Sequence, residues 1–171
     1  NLNDYINGLS TVKANFEQTN SDGSIDTGIL YIKRPGKMRL EYAAPSNALV
    51  IAGAGNVAIF DDKTKNGPIQ FPLKQTPLKL LLLENVNLIE NNIISKHSMN
   101  GQNTHIIVQD PEKLTQGKIE LVFSNNPINL LGWIITNQSN QNTKIVLSEL
   151  KEKIKIPLYL FSIIAEKSKQ N

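Results

Sequence analysis

Short runs in which apolar and polar residues alternate recur along this chain, each closed by turn-forming residues. That repetition constrains the fold more than any other feature, because a period of two belongs to a strand with one buried and one solvated face. The clearest case sets Lys37, Arg39 and Glu41 between Met38, Leu40 and Tyr42, one charged face against one apolar face. Before it, Asp22-Gly23-Ser24 predicts a turn between strands over Ala14 to Asn20 and Ile25 to Lys33, and Pro35-Gly36 predicts the next turn. After it come Ala48 to Ala52, a Gly53-Ala54-Gly55-Asn56 turn, Val57 to Phe60, and a turn through Asp61-Asp62 into a loop over 63–67. Later runs are Ile89 to Met99, a tight turn at Asn100-Gly101, His105 to Gln109, Lys118 to Phe123, Ile128 to Ile135 and Lys144 to Leu150. Ile154, Ile156, Leu158 and Leu160 extend the alternation toward the end. Strands at hairpin spacing imply a mainly antiparallel β fold, a sandwich or a barrel.

Two segments leave this period. Leu2, Tyr5, Ile6, Leu9 and Val12 recur at helical spacing, so the N-terminus reads as an amphipathic helix, weakened by Gly8. Farther on, Thr76 suits an N-cap and Pro77 the first helical position, and Leu78-Lys79-Leu80-Leu81-Leu82-Leu83-Glu84 follows. A helix over 77–84 would be apolar nearly all round, so it needs cover on most sides. It could plug or lid an apolar interior, or be a buried connector in a solid core; the pattern alone allows both.

A length of 171 residues fits a single domain, and 40% hydrophobic with 19% charged residues excludes a disordered chain. No apolar run is long enough for a membrane-spanning helix, and a soluble protein is expected. The polar start at Asn1 implies that any signal peptide has been removed or never existed. Cysteine is absent, which removes disulfides and thiol chemistry and leaves the compartment open. The net charge of +3 comes from lysines scattered along the sequence without interleaved aromatics, so nucleic acid is not expected as a partner.

Candidate reactive groups are few. His97 and His105 flank the Asn100-Gly101 turn and could face each other, but two ligands do not make a zinc site. Asp61-Asp62 and the Asp22/Asp26 pair sit where aspartate is favoured for turn hydrogen bonds. No serine stands in a nucleophile elbow, and Gly53 and Gly55 lie between strands rather than before a helix. The chain is therefore expected to have no catalytic residue, metal or cofactor. A hydrolase with a dispersed triad remains open, since triads are defined by geometry.

The run Tyr31-Ile32-Lys33-Arg34-Pro35-Gly36-Lys37-Met38-Arg39-Leu40-Glu41-Tyr42, followed by Pro45, resembles the signature of the LolA family of outer-membrane lipoprotein carriers. The N-terminal helix, Ala14-Asn15-Phe16-Glu17-Gln18, Gly28 and the Thr76-Pro77-Leu78 helix follow the order of that family, over roughly residues 1 to 84. The resemblance implies one carrier-like domain over residues 1–171, an incomplete antiparallel barrel (half-barrel) covered by the N-terminal helix and a short apolar lid helix. Its lid residues would be Pro77, Leu78, Leu80, Leu81, Leu82 and Leu83, and its acyl-chain cavity would be lined by Leu30, Ile32, Met38, Leu40 and Tyr42. Many members carry aromatic residues where this chain has Met38 and Leu40.

The resemblance further implies that Arg34 latches the lid when it is closed. The residues bear on this independently: Arg34 shares strand parity with Leu30 and Ile32, so an inward guanidinium would need acceptors. The last turn of the lid helix offers unpaired carbonyls. Taken without the resemblance, an arginine at a strand end more often points to solvent. The function implied is that of a periplasmic, monomeric chaperone for acylated lipoproteins. It would receive them from an inner-membrane lipoprotein-releasing ABC transporter and deliver them to an outer-membrane lipoprotein receptor. The alternative is a lipid- or lipoprotein-sensing domain on the same half-barrel.

Overall fold

The computed structural model describes residues 2–62, 66–87 and 94–169. Its strands are β1 (Thr11–Thr19), β2 (Ile25–Lys33), β3 (Lys37–Tyr42), β4 (Leu49–Gly53), β5 (Asn56–Phe60) and β6 (Ile69–Pro72), then β7 (Ile94–Asn100), β8 (Asn103–Gln109), β9 (Lys118–Ser124), β10 (Asn129–Thr136) and β11 (Asn142–Glu152). Helices α1 (Leu2–Gly8), α2 (Leu78–Leu81) and α3 (Ile163–Ser168) accompany them. The strands form one sheet in the order β6-β5-β4-β3-β2-β1-β11-β10-β9-β8-β7, every neighbouring pair antiparallel. Among the described residues β6 and β7 do not pair, so the sheet stays open.

The sheet curls all the same. β2 and β9 are four positions apart in it, about 19 Å in a flat sheet, yet Ile32 of β2 and Leu121 and Phe123 of β9 line one small cavity. The concave face follows the expected alternation. One row reads Val12, Ile32, Met38, Ala52 and Val57, and another runs through Ile145, Trp133, Leu121 and Ile106; all of them are buried. Gly28 stands between Phe16 and Tyr42 in a third row, and its missing side chain lets those rings meet edge to face at 5.1 Å. A Cβ at Gly28 would lie 2.8 Å from the Phe16 ring.

Several expectations need correction. The N-terminal helix stops at Gly8, and Val12 already belongs to β1. Helical spacing misled because Ile6, Leu9 and Val12 enter the same core from a helix, a turn and a strand. β6 was missed, being four residues ending in proline. The strand expected over 89–99 is seen as β7; residues 89–93 lie outside the described residues, as do 63–65 of the predicted loop.

The largest correction concerns the C-terminus. Residues 154–160 do not extend the sheet: Leu158–Phe161 is a 3-10 turn, and α3 follows, capped by the Ser162 hydroxyl accepting from the Ala165 amide at 3.1 Å. This segment lies across the outer face of β3 and β4. Gly53 makes the close approach possible, since a Cβ there would sit 2.2 Å from the Phe161 carbonyl oxygen. Arg39, expected on a solvated face, is 8% exposed beneath it. Its Nη1 donates to the Leu160 carbonyl at 2.9 Å, with Glu41 and Glu166 at 3.6 and 3.8 Å.

Candidate functional site

The order of the strands dictates how the trough is closed. β6 and β7 are the two edges of the sheet and are consecutive in sequence, so the chain between Pro72 and Ile94 must connect one rim to the other. α2 lies in that connection, and Leu80, Leu81 and Leu82 on it or just after it are 6%, 8% and 2% exposed in the main core. At about 1.5–3 kcal/mol for each buried leucine, this burial holds the strap against the concave face. The helix is shorter than the predicted 77–84. Pro77 precedes it, Leu82 ends it and Leu83 lies beyond, with Leu78 and Leu83 half-buried. Thr76 does not cap it; its hydroxyl donates backward to the Leu73 carbonyl at 3.0 Å.

Arg34 points inward from the end of β2 and joins three segments. Its Nε and Nη2 donate to the Leu83 carbonyl at 2.9 and 2.6 Å, while Nη1 donates to the Ile6 carbonyl and, at 3.4 Å, to that of Leu9. The acceptor on the strap is thus a carbonyl past the helix rather than one in its last turn. Close by, the Gly36 amide donates to the Leu82 carbonyl at 2.9 Å. Burial lowers the Arg34 guanidinium from its ordinary value, yet arginine keeps its charge at any physiological pH.

Two further clasps carry no sequence signal. The Asn7 amide on α1 pairs both ways with Val86, accepting from its N–H at 2.7 Å and donating to its carbonyl at 2.9 Å. On the other side of the strap, Lys79 of α2 donates to Asp110 after β8 at 2.7 Å, and this bond holds the Asp110 carboxyl below the usual carboxylate range. Asn7 reads in sequence only as part of a polar helix face, and Lys79 as a break in a leucine run. Their partners lie 79 and 31 residues away, beyond any local pattern.

Among the described residues, the space found beneath the strap is small. The cavity beneath the strap holds about 20 Å³, room for one water, and is lined by Ile6, Val12, Ile32, Arg34, Leu81 and Phe123 among others. Of the residues expected to line an acyl cavity, only Ile32 touches it. Leu30, Met38 and Leu40 are packed into the surrounding core, and Tyr42 packs against Phe16. Burial pushes the Tyr42 phenol up to about 12 while it donates to Gln18.

The remaining candidates gather into no reactive site. His97 pairs in register with Ile106 and His105 with Ser98, so they lie on opposite faces of the hairpin; His105 is 3.5 Å from Glu120. Asp22 accepts from the Ser24 amide and hydroxyl, which is turn chemistry, and these bonds lower its pKa. Among the described residues no three His, Cys, Asp or Glu side chains cluster to hold a metal. No described helix is long and apolar enough to cross a membrane.

Residues 7–164 match the model of a family described as outer membrane lipoprotein carrier protein LolA. The chain belongs to the LolA family. It is 24% identical over 167 residues to an outer-membrane lipoprotein carrier protein of Legionella pneumophila (strain Corby), covering 94% of this chain and 82% of the relative. It is 26% identical over 174 residues to a protein of the same name from Chromobacterium violaceum, covering 97% and 82%. Among solved structures, a domain from Vibrio parahaemolyticus provisionally described as an outer membrane lipoprotein-sorting protein superposes with a TM-score of 0.54 at 11% identity, covering 94% of this chain and 92% of that one. A DUF1329 family protein from Desulfovibrio piger gives 0.52 at 10% identity, covering 93% and 92%. At these identities the two structures speak for the open β fold of the LolA family and for nothing further.

Proposed function

We propose that this chain is a periplasmic carrier that takes the acyl chains of lipoproteins beneath the 73–87 strap, with Arg34 as the latch of the closed state. The observation that carries the proposal is an apolar trough whose cover is pinned at its margins by polar contacts, with a cavity of about 20 Å³ beneath it among the described residues. An acyl chain cannot enter without lifting the strap. Once it is lifted, Leu80, Leu81 and Leu82 can trade contacts with the sheet for contacts with cargo, so much of their burial is retained. The net cost of opening then falls mainly on the clasps. A hydrogen bond to a charged group contributes about 1.5–3 kcal/mol, and a buried methylene about 0.8 kcal/mol. A handful of inserted methylenes offsets the Arg34 bonds, and reclosure competes with cargo strongly enough to permit release.

In this reading the protein works as a monomer formed of one domain. Lipoprotein arrives from a releasing ABC transporter in the inner membrane and leaves to a receptor at the outer membrane. The test is to incubate the protein with spheroplasts and assay the soluble fraction for lipoprotein. Release is the expected result. Folded protein that extracts no lipoprotein would overturn the carrier reading in favour of a sensing domain on the same fold.

A further inference from the structure

The lysines that look scattered in the sequence are gathered by the strand register. Lys13 of β1 stands directly opposite Lys151 of β11, and Lys33 of β2 directly opposite Lys37 of β3. Thr11, which pairs with Lys33, accepts the backbone N–H of Lys153 at 3.1 Å. Lys13, Lys33, Lys37 and Lys151 share the parity of Tyr31 and Arg39, so they lie on the outer face, opposite the apolar trough, at the end of the sheet that carries the β2–β3 turn; Lys153 stands beside them just past the end of β11, where φ is +53°. Among the described residues none of the five has a carboxylate within ion-pair distance. Of the acids on or beside this face, Glu41 and Glu166 stand beside Arg39 and Glu149 by the Asn15 amide at 2.8 Å, and Glu17 lies on β1 four residues along from Lys13, toward the other end of the strand.

Like charges directly opposite in an antiparallel pair are destabilising, and here two such pairs sit side by side. A local choice that works against the fold points to a compensating gain elsewhere. Around the lysines stand apolar and aromatic groups. Lys13 Nζ lies 5.5 Å over the Tyr31 ring. The C-terminal segment borders the cluster, anchored by Lys33 on the Ile156 carbonyl at 3.1 Å and by Arg39 on that of Leu160. Between those anchors Leu158 and Tyr159 are 61% and 67% exposed.

We propose that this outer face docks on a membrane surface rich in anionic phospholipid, the five lysines reading headgroup charge and Leu158 and Tyr159 entering the interface. A basic cluster edged by an exposed tyrosine and leucine fits that partner, because the polar and apolar layers of a bilayer lie side by side at its surface. An acidic protein surface would match the charge and leave the two exposed apolar side chains without a role. Lys33 and Lys37 flank Arg34 closely in the chain, so docking would bring the latch end of the strap to the membrane.

Each lysine facing an anionic leaflet is worth about fivefold in binding. The test is flotation with vesicles of phosphatidylcholine alone, or mixed in equal parts with phosphatidylglycerol, at low and high salt. Binding to the mixed vesicles alone, weakened by salt, is expected. The triple variant Lys13→Gln, Lys151→Gln, Lys153→Gln should bind about 100-fold more weakly while melting no lower than the parent, since it removes like-charge repulsion. Lys113→Gln with Lys118→Gln should bind as the parent does, and Tyr159→Ser should weaken binding that remains at high salt. Equal binding to both vesicle types, no binding to either, or full binding by the triple variant would overturn the proposal. None of these readouts requires lipoprotein cargo, so they stand or fall apart from the carrier reading.

Discussion

Replacing Arg34 by leucine isolates the latch. The wild-type guanidinium makes two bonds to the Leu83 carbonyl and contacts those of Ile6 and Leu9, tying β2 to the strap and to α1. Bonds from a charged donor contribute about 1.5–3 kcal/mol each, but Arg34 is only half-buried and the longest contact is weak, so about 2–4 kcal/mol in total is the realistic scale. Leucine adds apolar surface beside the small cavity and leaves the Leu83 carbonyl without its donors, while the Ile6 carbonyl keeps the Leu9 amide at 3.1 Å. The closed state alone loses this energy, so the closed-to-open ratio should fall roughly 30- to 1,000-fold. Apparent affinity for an acylated ligand should tighten by up to that factor, until the open state is fully populated. The assay titrates an environment-sensitive fluorescent fatty acid, then loads lipoprotein and measures its transfer to acceptor membranes carrying the receptor. Arg34→Leu should bind more tightly and release little, and Arg34→Lys should fall between, because an ammonium cannot donate as a planar fork. Unchanged affinity and normal transfer by a folded Arg34→Leu protein would refute the latch.

Three further substitutions probe the supports. Gly53→Ala drives a Cβ to 2.2 Å from the Phe161 carbonyl oxygen, so it should lift the C-terminal segment off β4; limited proteolysis should then cut within 153–169 much faster than in the parent. Asp110→Asn should loosen the strap and speed amide hydrogen exchange over 77–83. Because Lys79 depresses the folded pKa of Asp110, this clasp holds at neutral pH and is lost as pH falls below the ordinary carboxylate value, so acid should reproduce the variant. Tyr42, pushed up to about 12 by burial, adds stability that is complete below its unfolded value near 10 and lost as pH rises toward 12. Alkaline melts of Tyr42→Phe should therefore decline less steeply over that interval than those of the parent.

The strands were legible because alternation and turn chemistry both act within a few residues. The β2–β3 turn was legible from Pro35-Gly36, and it closes as a three-residue loop over 34–36 that pairs Lys33 with Lys37. The parity of Arg34 with Leu30 and Ile32 was legible, but the residues alone favoured a solvent-facing side chain; the carbonyls of Ile6 and Leu83 that draw it inward lie 28 and 49 residues away. What escaped was decided by groups far apart in sequence. Asn7 meets Val86, Lys79 meets Asp110, and Arg39 meets Leu160, each through a side chain that local pattern assigns to a solvated face. The C-terminal alternation misled in the opposite sense. Ile156 and Phe161 are buried, but against the outer face of the sheet, where the segment packs as 3-10 and α turns after Pro157 rather than as a strand.

An open sheet leaves two edges, and exposed edges invite pairing with other chains. Here β6 and β7 are neighbours in sequence, so the connection that shields the trough is anchored at both rims without any need for closure. A closed barrel would fix its interior volume through strand number and shear. In the carrier reading proposed above, a strap between rims would let that volume rise from about 20 Å³, set by how far 73–87 swings rather than by breaking the sheet. The clasps at Arg34, Asn7 and Lys79 are therefore placed where they can define one closed position while leaving every strand pair intact. Breaking them should shift occupancy far more than it lowers the melting temperature, and a variant that melted early without binding more tightly would show that the strap is part of the folding core instead of a cover over it.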